Sequence, residues 1–306
     1  MNGEEVALLT HEFGWHGEAL QRAFSERAMR ATWVPIQDCQ LSTEAGSLGI
    51  RLPGFERGLP DGAFVRGIPS GTLEEIVFCL DILYALVHAG VPVYNHPSAI
   101  ERSVDKAMTS WFLARAGIPT PPSWALRDAD RAEAVRKQEE AAGHQLVLKP
   151  LFGSMGKGVR LLERGEPLPS PEELDGVYYF QRFIPPATEM GWCDWRVLVI
   201  NGSPVGAMQR FGDSWINNRA RGGSCRPAVA PEAAERMAIA AAETVGLDYA
   251  GVDLIQDPAG GFQVLEVNGV PAWRGLQSVL REDLAGRLAD GCRATWTTAV
   301  PREVAE

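Results

Sequence analysis

Gln145-Leu-Val-Leu-Lys149-Pro-Leu-Phe-Gly153-Ser154-Met155-Gly156-Lys157-Gly158-Val159 is the stretch on which the fold turns. An apolar strand, Gln145–Leu148, ends in Lys149, and a turn rich in glycine leads to a second strand, Val159–Leu162. Glycines let backbone N–H groups approach phosphate oxygens, Ser154 adds a donor, and a lysine supplies a point charge. The spacing of Gly153 and Lys157, with no Ser or Thr after the lysine, excludes a P-loop, and the G-x-G-x-x-G order also fails. Taken alone, the stretch fits a hairpin loop with a solvated lysine equally well.

About a hundred residues downstream stand Ala250-Gly-Val-Asp253-Leu-Ile255 and Val264-Leu-Glu266-Val-Asn268-Gly269. Strand residues two apart share a face, so Glu266 and Asn268 project together, with Asp253 on the neighbouring strand. Two carboxylates and an amide oxygen suit Mg²⁺ holding nucleotide phosphates; an outward strand edge with a turn at Asn-Gly is the alternative. Upstream, Ser103-Val-Asp-Lys106 opens a helix, where a lysine works against the helix dipole unless an anion or water faces it. Phe180-Gln-Arg-Phe-Ile184 before Pro185-Pro186 reads as an adenine-reading hinge or a plain linker. Asp194 and Arg196 share a strand face, and Arg210, Asn217, Asn218, Arg219 and Arg221 follow, either as an anion site or as a solvated basic face.

The remaining chain punctuates into short strands and helices. Val6–Thr10, Thr32–Ile36, Ala63–Arg66 and Val91–Tyr94 read as strands around a helix near Glu18–Met29 and one capped by Thr72 with Glu75 and stopped by Gly90. This alternation predicts a parallel α/β unit over residues 1–97, with 40–62 as loop. A second unit, 98–185, opens with a helix capped by Ser103 and running to Ala116. The third, 186–306, holds a hairpin at Asn201-Gly202, a helix from Pro231 to before Gly246, paired strands Gly251–Gln256 and Gly261–Val267, and a last helix near Leu280–Thr295.

The net charge of −10 argues against a duplex nucleic-acid partner. Five cysteines without CxxC spacing predict reduced thiols, and the scattered histidines make no zinc pattern. The acidic first ten residues lack a basic leader, and the apolar run Ile76–Val87 is too short to span a bilayer, so a cytoplasmic protein with no membrane partner is expected. A homo-oligomer is compatible with all of this.

In this order, the motifs resemble the ATP-grasp superfamily, and within it the RimK-like α-L-glutamate ligases. The resemblance runs from Val65-Arg66 through Arg102–Lys106, Gly117–Pro121, Val147–Lys149, Gly153–Val159, Gln181–Ile184, Cys193–Arg196, Asn218 with Arg221-Gly-Gly223 and Gly251–Asp253 to Glu266–Asn268. It implies an N-terminal parallel α/β unit followed by a two-lobed α+β ATP-grasp fold. It also implies ATP with two Mg²⁺ or Mn²⁺ ions, and an amide bond formed through an acyl-phosphate with release of ADP and phosphate.

By position, Lys106 and Lys149 match the phosphate lysines, and Gly153, Ser154, Met155, Gly156 and Gly158 the loop over the nucleotide. Gln181, Arg182 and Phe183 match the adenine hinge, although the family often has Glu at the position of Arg182. Asp194 matches the ribose-side acid, and Asp253, Glu266 and Asn268 the metal ligands; Arg196, Asn218 and Arg221 match catalytic contacts. Arg66, Arg219, Arg221, Trp273 and Arg274 are expected to bind substrate, with Trp273-Arg274 reading the acceptor. The small-molecule substrates expected are L-glutamate and a carboxylate-bearing compound or cofactor tail. A D-alanine-type dipeptide ligase and a non-catalytic ATP-binding regulator are the alternatives.

Overall fold

The computed structural model describes residues 3–44, 49–153, 156–186, 191–212, 214–215 and 224–298, with residues 297 and 298 given as backbone alone. The first third runs β1 (Glu5–Leu9), α1 (Gly14–Ser25), β2 (Arg30–Val34), β3 (Gln40–Leu41), β4 (Ile50–Arg51), β5 (Gly62–Val65), α2 (Leu73–His88) and β6 (Val93–Tyr94). The main sheet has the order β2-β1-β5-β6, and every pair is parallel. Helices cover both faces, so Val6, Ala7, Leu8 and Leu9 are all fully buried. α2 starts where a reciprocal capping box fixes it: Glu75 N–H donates to Thr72 Oγ1, and Thr72 N–H to Glu75 Oε2. The stretch 40–62, expected as loop, contains the small antiparallel hairpin β3–β4, whose two-residue strands are too short to show a period in sequence.

Next come α3 (Pro97–Val104), α4 (Lys106–Arg115), β7 (Ser123–Leu126), α5 (Ala129–Ala141), β8 (Leu146–Lys149), β9 (Arg160–Leu161) and β10 (Tyr178–Arg182). The expected cap at Ser103 is corrected. Ser103 Oγ donates to Ile100 O within α3, and Asp105 caps α4 by accepting from the N–H groups of Ala107 and Met108. A carboxylate also suits the positive helix end, so the chain breaks at Asp105 rather than starting at Ser103. The antiparallel sheet β7-β10-β8-β9 buries Leu146, Leu148, Tyr178 and Phe180 with Ala132 of α5.

The last part contains β11 (Trp192–Ile200), β12 (Ser203–Gly212), β13 (Ser224–Ala228), α6 (Glu232–Val245), β14 (Tyr249–Gln256), β15 (Phe262–Asn268), α7 (Arg274–Gln277) and α8 (Leu284–Thr298). Asn201 and Gly202 both have positive φ, 46° and 70°, which gives the β11–β12 hairpin the primed turn that matches strand twist. α6 lays an alanine face, Ala234, Ala238, Ala241 and Ala242, on Val197, Val199, Val252 and Leu254. The opposite face of this sheet is polar towards β15 and apolar where Leu198, Ile200 and Tyr249 join the core under α1 and α8. Arg27 and Asp290 tie those two helices together with a two-pronged ion pair.

Candidate active site

β15 carries the decisive local feature. Its burial runs buried, half-buried, buried, half-buried, half-buried, buried, half-buried, because Asp253 pairs with Glu266 while Leu254 pairs with Val264. Leu265 is therefore a β-bulge, an extra residue without a partner. Upstream of it Phe262 and Val264 face α6; downstream the phase changes and Val267 does. Consecutive strand residues normally point to opposite faces, yet the bulge lets Leu265 and Glu266 both line the same cleft.

That cleft lies between the middle sheet and the last one and holds about 150 Å³ of free space. Val147, Val159, Ile184, Ile255 and Leu265 form apolar walls suited to a flat base. Sequence reading gave none of the five a role of its own, because apolar residues look like core until their neighbours are known. The hinge amides of Arg182 and Phe183 donate to Pro122 O and Gln145 O. Ile184 N–H has no backbone partner among the described residues, so of these three amides it is the one open to a ligand. The Arg182 guanidinium turns to α5 and grips Glu139 through Nε and Nη2 at 2.8 and 3.0 Å. Phe183 packs between Trp192 and Trp215, with ring centroids 5.9 Å away in each case.

The other end of the cleft is charged. Lys106, the first residue of α4, sends Nζ to Gly153 O at 2.8 Å, which accounts for a lysine at that helix start. Lys149 Nζ donates to Gln181 Oε1 at 2.5 Å. Burial pulls the Lys149 pKa down to about 8, against the nearby Glu266 carboxylate, and burial also lowers Lys106. Gly158 has φ 70°, and a Cβ there would sit 2.8 Å from Pro150 Cγ, so the turn requires glycine.

Beneath lies a network of four charges. Arg196 grips both oxygens of Asp253 at 2.6 and 2.7 Å, and Arg210 does the same for Asp194 at 2.6 and 2.9 Å. Arg210 also reaches Asp253 at 3.1 Å. Burial raises Asp194 despite Arg210, whereas for Asp253 Arg196 and Arg210 together outweigh burial and hold it below the usual carboxylate range. Arg196 is thus engaged by an acid of its own chain, and Arg210 is the partner that sequence reading left unassigned. Among the described residues no three His, Cys, Asp or Glu side chains gather as a metal site. The oxygen donors nonetheless suit a hard cation. Among the described residues Glu266 makes no ion pair, and Asn268 uses its Nδ2–H on Gly251 O, leaving Oδ1 for other partners.

Trp273 is corrected as an acceptor-reading face: it is 2% exposed, and its ring packs against Trp15 and His16. Arg274 beside it is exposed, and Arg66 lies with it around His16, away from the cleft walls. Ser154, Met155, Asn218, Arg219 and Arg221 fall outside the described residues. Among the described residues no helix is long and apolar enough to cross a membrane.

Two antiparallel sheets closing on one cleft, with lysines on one wall and carboxylates on the other, make the ATP-grasp arrangement. Residues 103–291 match the RimK-like ATP-grasp domain. The tetrahydromethanopterin:alpha-L-glutamate ligase of Methanosarcina acetivorans is 33% identical, over 71% of this chain and 74% of that protein. The ligase of the same name from Methanocaldococcus jannaschii is 35% identical, over 75% of this chain and 78% of that protein. The solved structure of the ATP-grasp ligase PsnB with its minimal precursor superposes with a TM-score of 0.73 at 20% identity, covering 96% of this chain and 99% of that one. The chain belongs to the RimK-like ATP-grasp family and is an ATP-grasp ligase that forms amide bonds. ATP-grasp ligases use ATP and Mg²⁺.

Proposed function

We propose that the chain joins L-glutamate to a carboxylate-bearing small molecule or cofactor tail through an acyl-phosphate. The observation that carries this reading is a convergence on one cleft, which Lys106 from α4, Lys149 from β8 and Glu266 from β15 line together. Such a trio suits a triphosphate tail, with the base held by the apolar walls and Ile184 N–H. Glu266 and Asn268 would hold Mg²⁺, with Asp253 behind them, and two ions are proposed. When bound, the metal draws negative charge from the phosphates.

An oxygen of the acceptor carboxylate attacks the γ-phosphorus, the bond to the bridging oxygen breaks, and ADP leaves. The amine of the incoming amino acid then attacks the acyl carbon, phosphate departs, and the amine gives up a proton. The protein's part is positioning and electrostatic stabilisation. Asn218 and Arg221 are proposed as phosphate and substrate contacts, and Arg219 as a substrate fork, on the sequence pattern alone. Covalent catalysis by Cys39, Cys79, Cys193 or Cys292 is disfavoured, because burial raises all four thiols. The glutamate assignment is supported by the names of the two archaeal relatives.

The test is ADP release with amino acids screened against candidate acceptors, the products read by mass spectrometry. Hydroxylamine should trap a hydroxamate when ATP and acceptor are present. AMP and pyrophosphate as products would remove the acyl-phosphate, and neutral amino acids outcompeting glutamate would remove the donor.

A further inference from the structure

Three basic side chains meet at the carboxyl edge of the parallel sheet with no acid among them. Arg66 directly follows β5, His16 sits in the first turn of α1, and Arg274 opens α7. His16 Nε2 accepts the backbone N–H groups of Trp273 at 3.3 Å and Arg274 at 3.2 Å, so the ring is neutral and carries its proton on Nδ1. Burial, then Arg66 and Arg274, push its pKa down to about 3, so the ring stays neutral across the working range. The Arg66 Nε is buried without a hydrogen-bond partner among the described residues. No carboxylate among those residues forms an ion pair with Arg66 or Arg274. The Arg274 guanidinium carbon lies 5.6 Å from the Trp15 ring centre, and Trp15 in turn packs on the buried Trp273, so an aromatic wall holds it in place.

Arg66 is half-buried with its Nε shut off from water, and a guanidinium so placed without a counter-charge among the described residues is costly. An anion from outside would satisfy it. The position of the cluster says which anion. Tyr249 donates its hydroxyl to Val65 O at 2.6 Å, tying the start of β14 to the residue before Arg66. Tyr249, Gly251 and Asp253 share one face of β14, so Tyr249, which holds the residue before Arg66, stands about 13 Å along the strand from Asp253. Between them Gly251 lies directly under Pro271, which a Cβ there would meet at 2.8 Å. That separation is too long for the carboxylate that is phosphorylated, and it suits a second acidic group of the same molecule.

We propose that Arg66 and Arg274, aimed around His16, form a subsite for an acceptor carboxylate other than the one that is activated. The enzyme would then select acceptors with at least two acidic groups. The subsite rests on the ligase reading for its name as an acceptor site, but its anion chemistry stands on the cluster itself. His16 is a positioning residue: it accepts the two amides that fix the base of the Arg274 side chain.

The test uses sebacate, a ten-carbon dicarboxylate, and its monomethyl ester as probes, with binding measured by calorimetry in the presence of ADP. Wild-type protein should prefer sebacate at least tenfold. Arg66→Gln and Arg274→Gln should each abolish that preference while ADP affinity holds. Arg274 is exposed, so its variant keeps the test decisive should Arg66→Gln fail to fold. His16→Gln, which keeps an acceptor for the two N–H groups, should retain the preference that His16→Phe loses. Equal binding of diacid and ester to the wild type, or an unchanged preference in Arg274→Gln, overturns the subsite. Loss of all ADP release with the arginine-dependent preference intact would instead overturn the ligase reading and leave the subsite standing.

Discussion

Replacing Arg182 by alanine separates the structural role of the hinge from its nucleotide role. The guanidinium is bound to both oxygens of Glu139, and the two side chains are 26% and 6% exposed. At an effective dielectric of about 20, charges about 4 Å apart attract by about 4 kcal/mol. Taking Glu139 almost wholly out of water offsets roughly half of that, leaving a coupling of about 2 kcal/mol. Among the described residues His144 Nδ1, 3.2 Å from Glu139, is the one remaining partner within ion-pair distance and is 40% exposed, so it replaces little of the lost pair. Urea unfolding of the wild type, Arg182→Ala, Glu139→Gln and the double variant closes a mutant cycle; two spectroscopic probes should be followed, since a chain with several separate sheets need not unfold in one step. The expected result is a clear loss of stability in Arg182→Ala that is partly recovered in the double variant. The KM for ATP should stay within about threefold, less than 1 kcal/mol, because the Arg182 side chain is turned to Glu139 and away from the base. A tenfold rise in that KM with unchanged unfolding would refute the orientation argued for the side chain.

Further expectations concern the cleft. Glu266→Ala should abolish Mg²⁺-dependent ADP formation with circular dichroism unchanged, and near-wild-type turnover would remove Glu266 from the metal site. Lys149 has a folded-state pKa of about 8 against an ordinary 10.5, so between those values the folded chain gives up its proton before the unfolded one. The free protein should therefore gain stability from this group as pH rises through that window, whereas ADP binding should weaken above pH 8 as the cation is lost. Both trends should vanish in Lys149→Met, read by thermal unfolding and ADP titration across pH. Asp105→Ala should cost about 1 kcal/mol through loss of the α4 cap and also raise the KM for ATP by displacing Lys106, whereas Ser103→Ala should leave that KM near normal.

Much of the fold was legible in the sequence because its signals are local. Thr72 with Glu75, Asn201-Gly202 and Gly246 each fix an element end through backbone chemistry that needs no distant partner. Ser103 misled because serine is a good cap wherever it stands, and only the break between α3 and α4 shows that Asp105 holds the amides. The charged end of the cleft was legible in residue types but not in pairings. Nothing in Asp194-Trp-Arg196 says that Arg196 will reach across to Asp253 while Asp194 waits for Arg210 from the next strand. Trp273 looked like an accessible ring because sequence does not reveal that α1 will cover it. His16 carries no motif at all; its meaning arises from two amides more than 250 residues away.

The bulge at Leu265 bears on how β15 tolerates changes in length. A strand in strict alternation turns every later side chain over when one residue is lost. Here the surplus residue is already present, so removing Leu265 leaves Phe262 and Val264 against α6 and Glu266 and Asn268 above the phosphate end. Such a shortened strand would keep its acid and amide where they are and lose only the hydrocarbon that walls the base. With the nucleotide bound as proposed, its two ends would be specified by adjacent letters of the chain, one removable without moving the other, so the grip on the base could change independently of the grip on the phosphates.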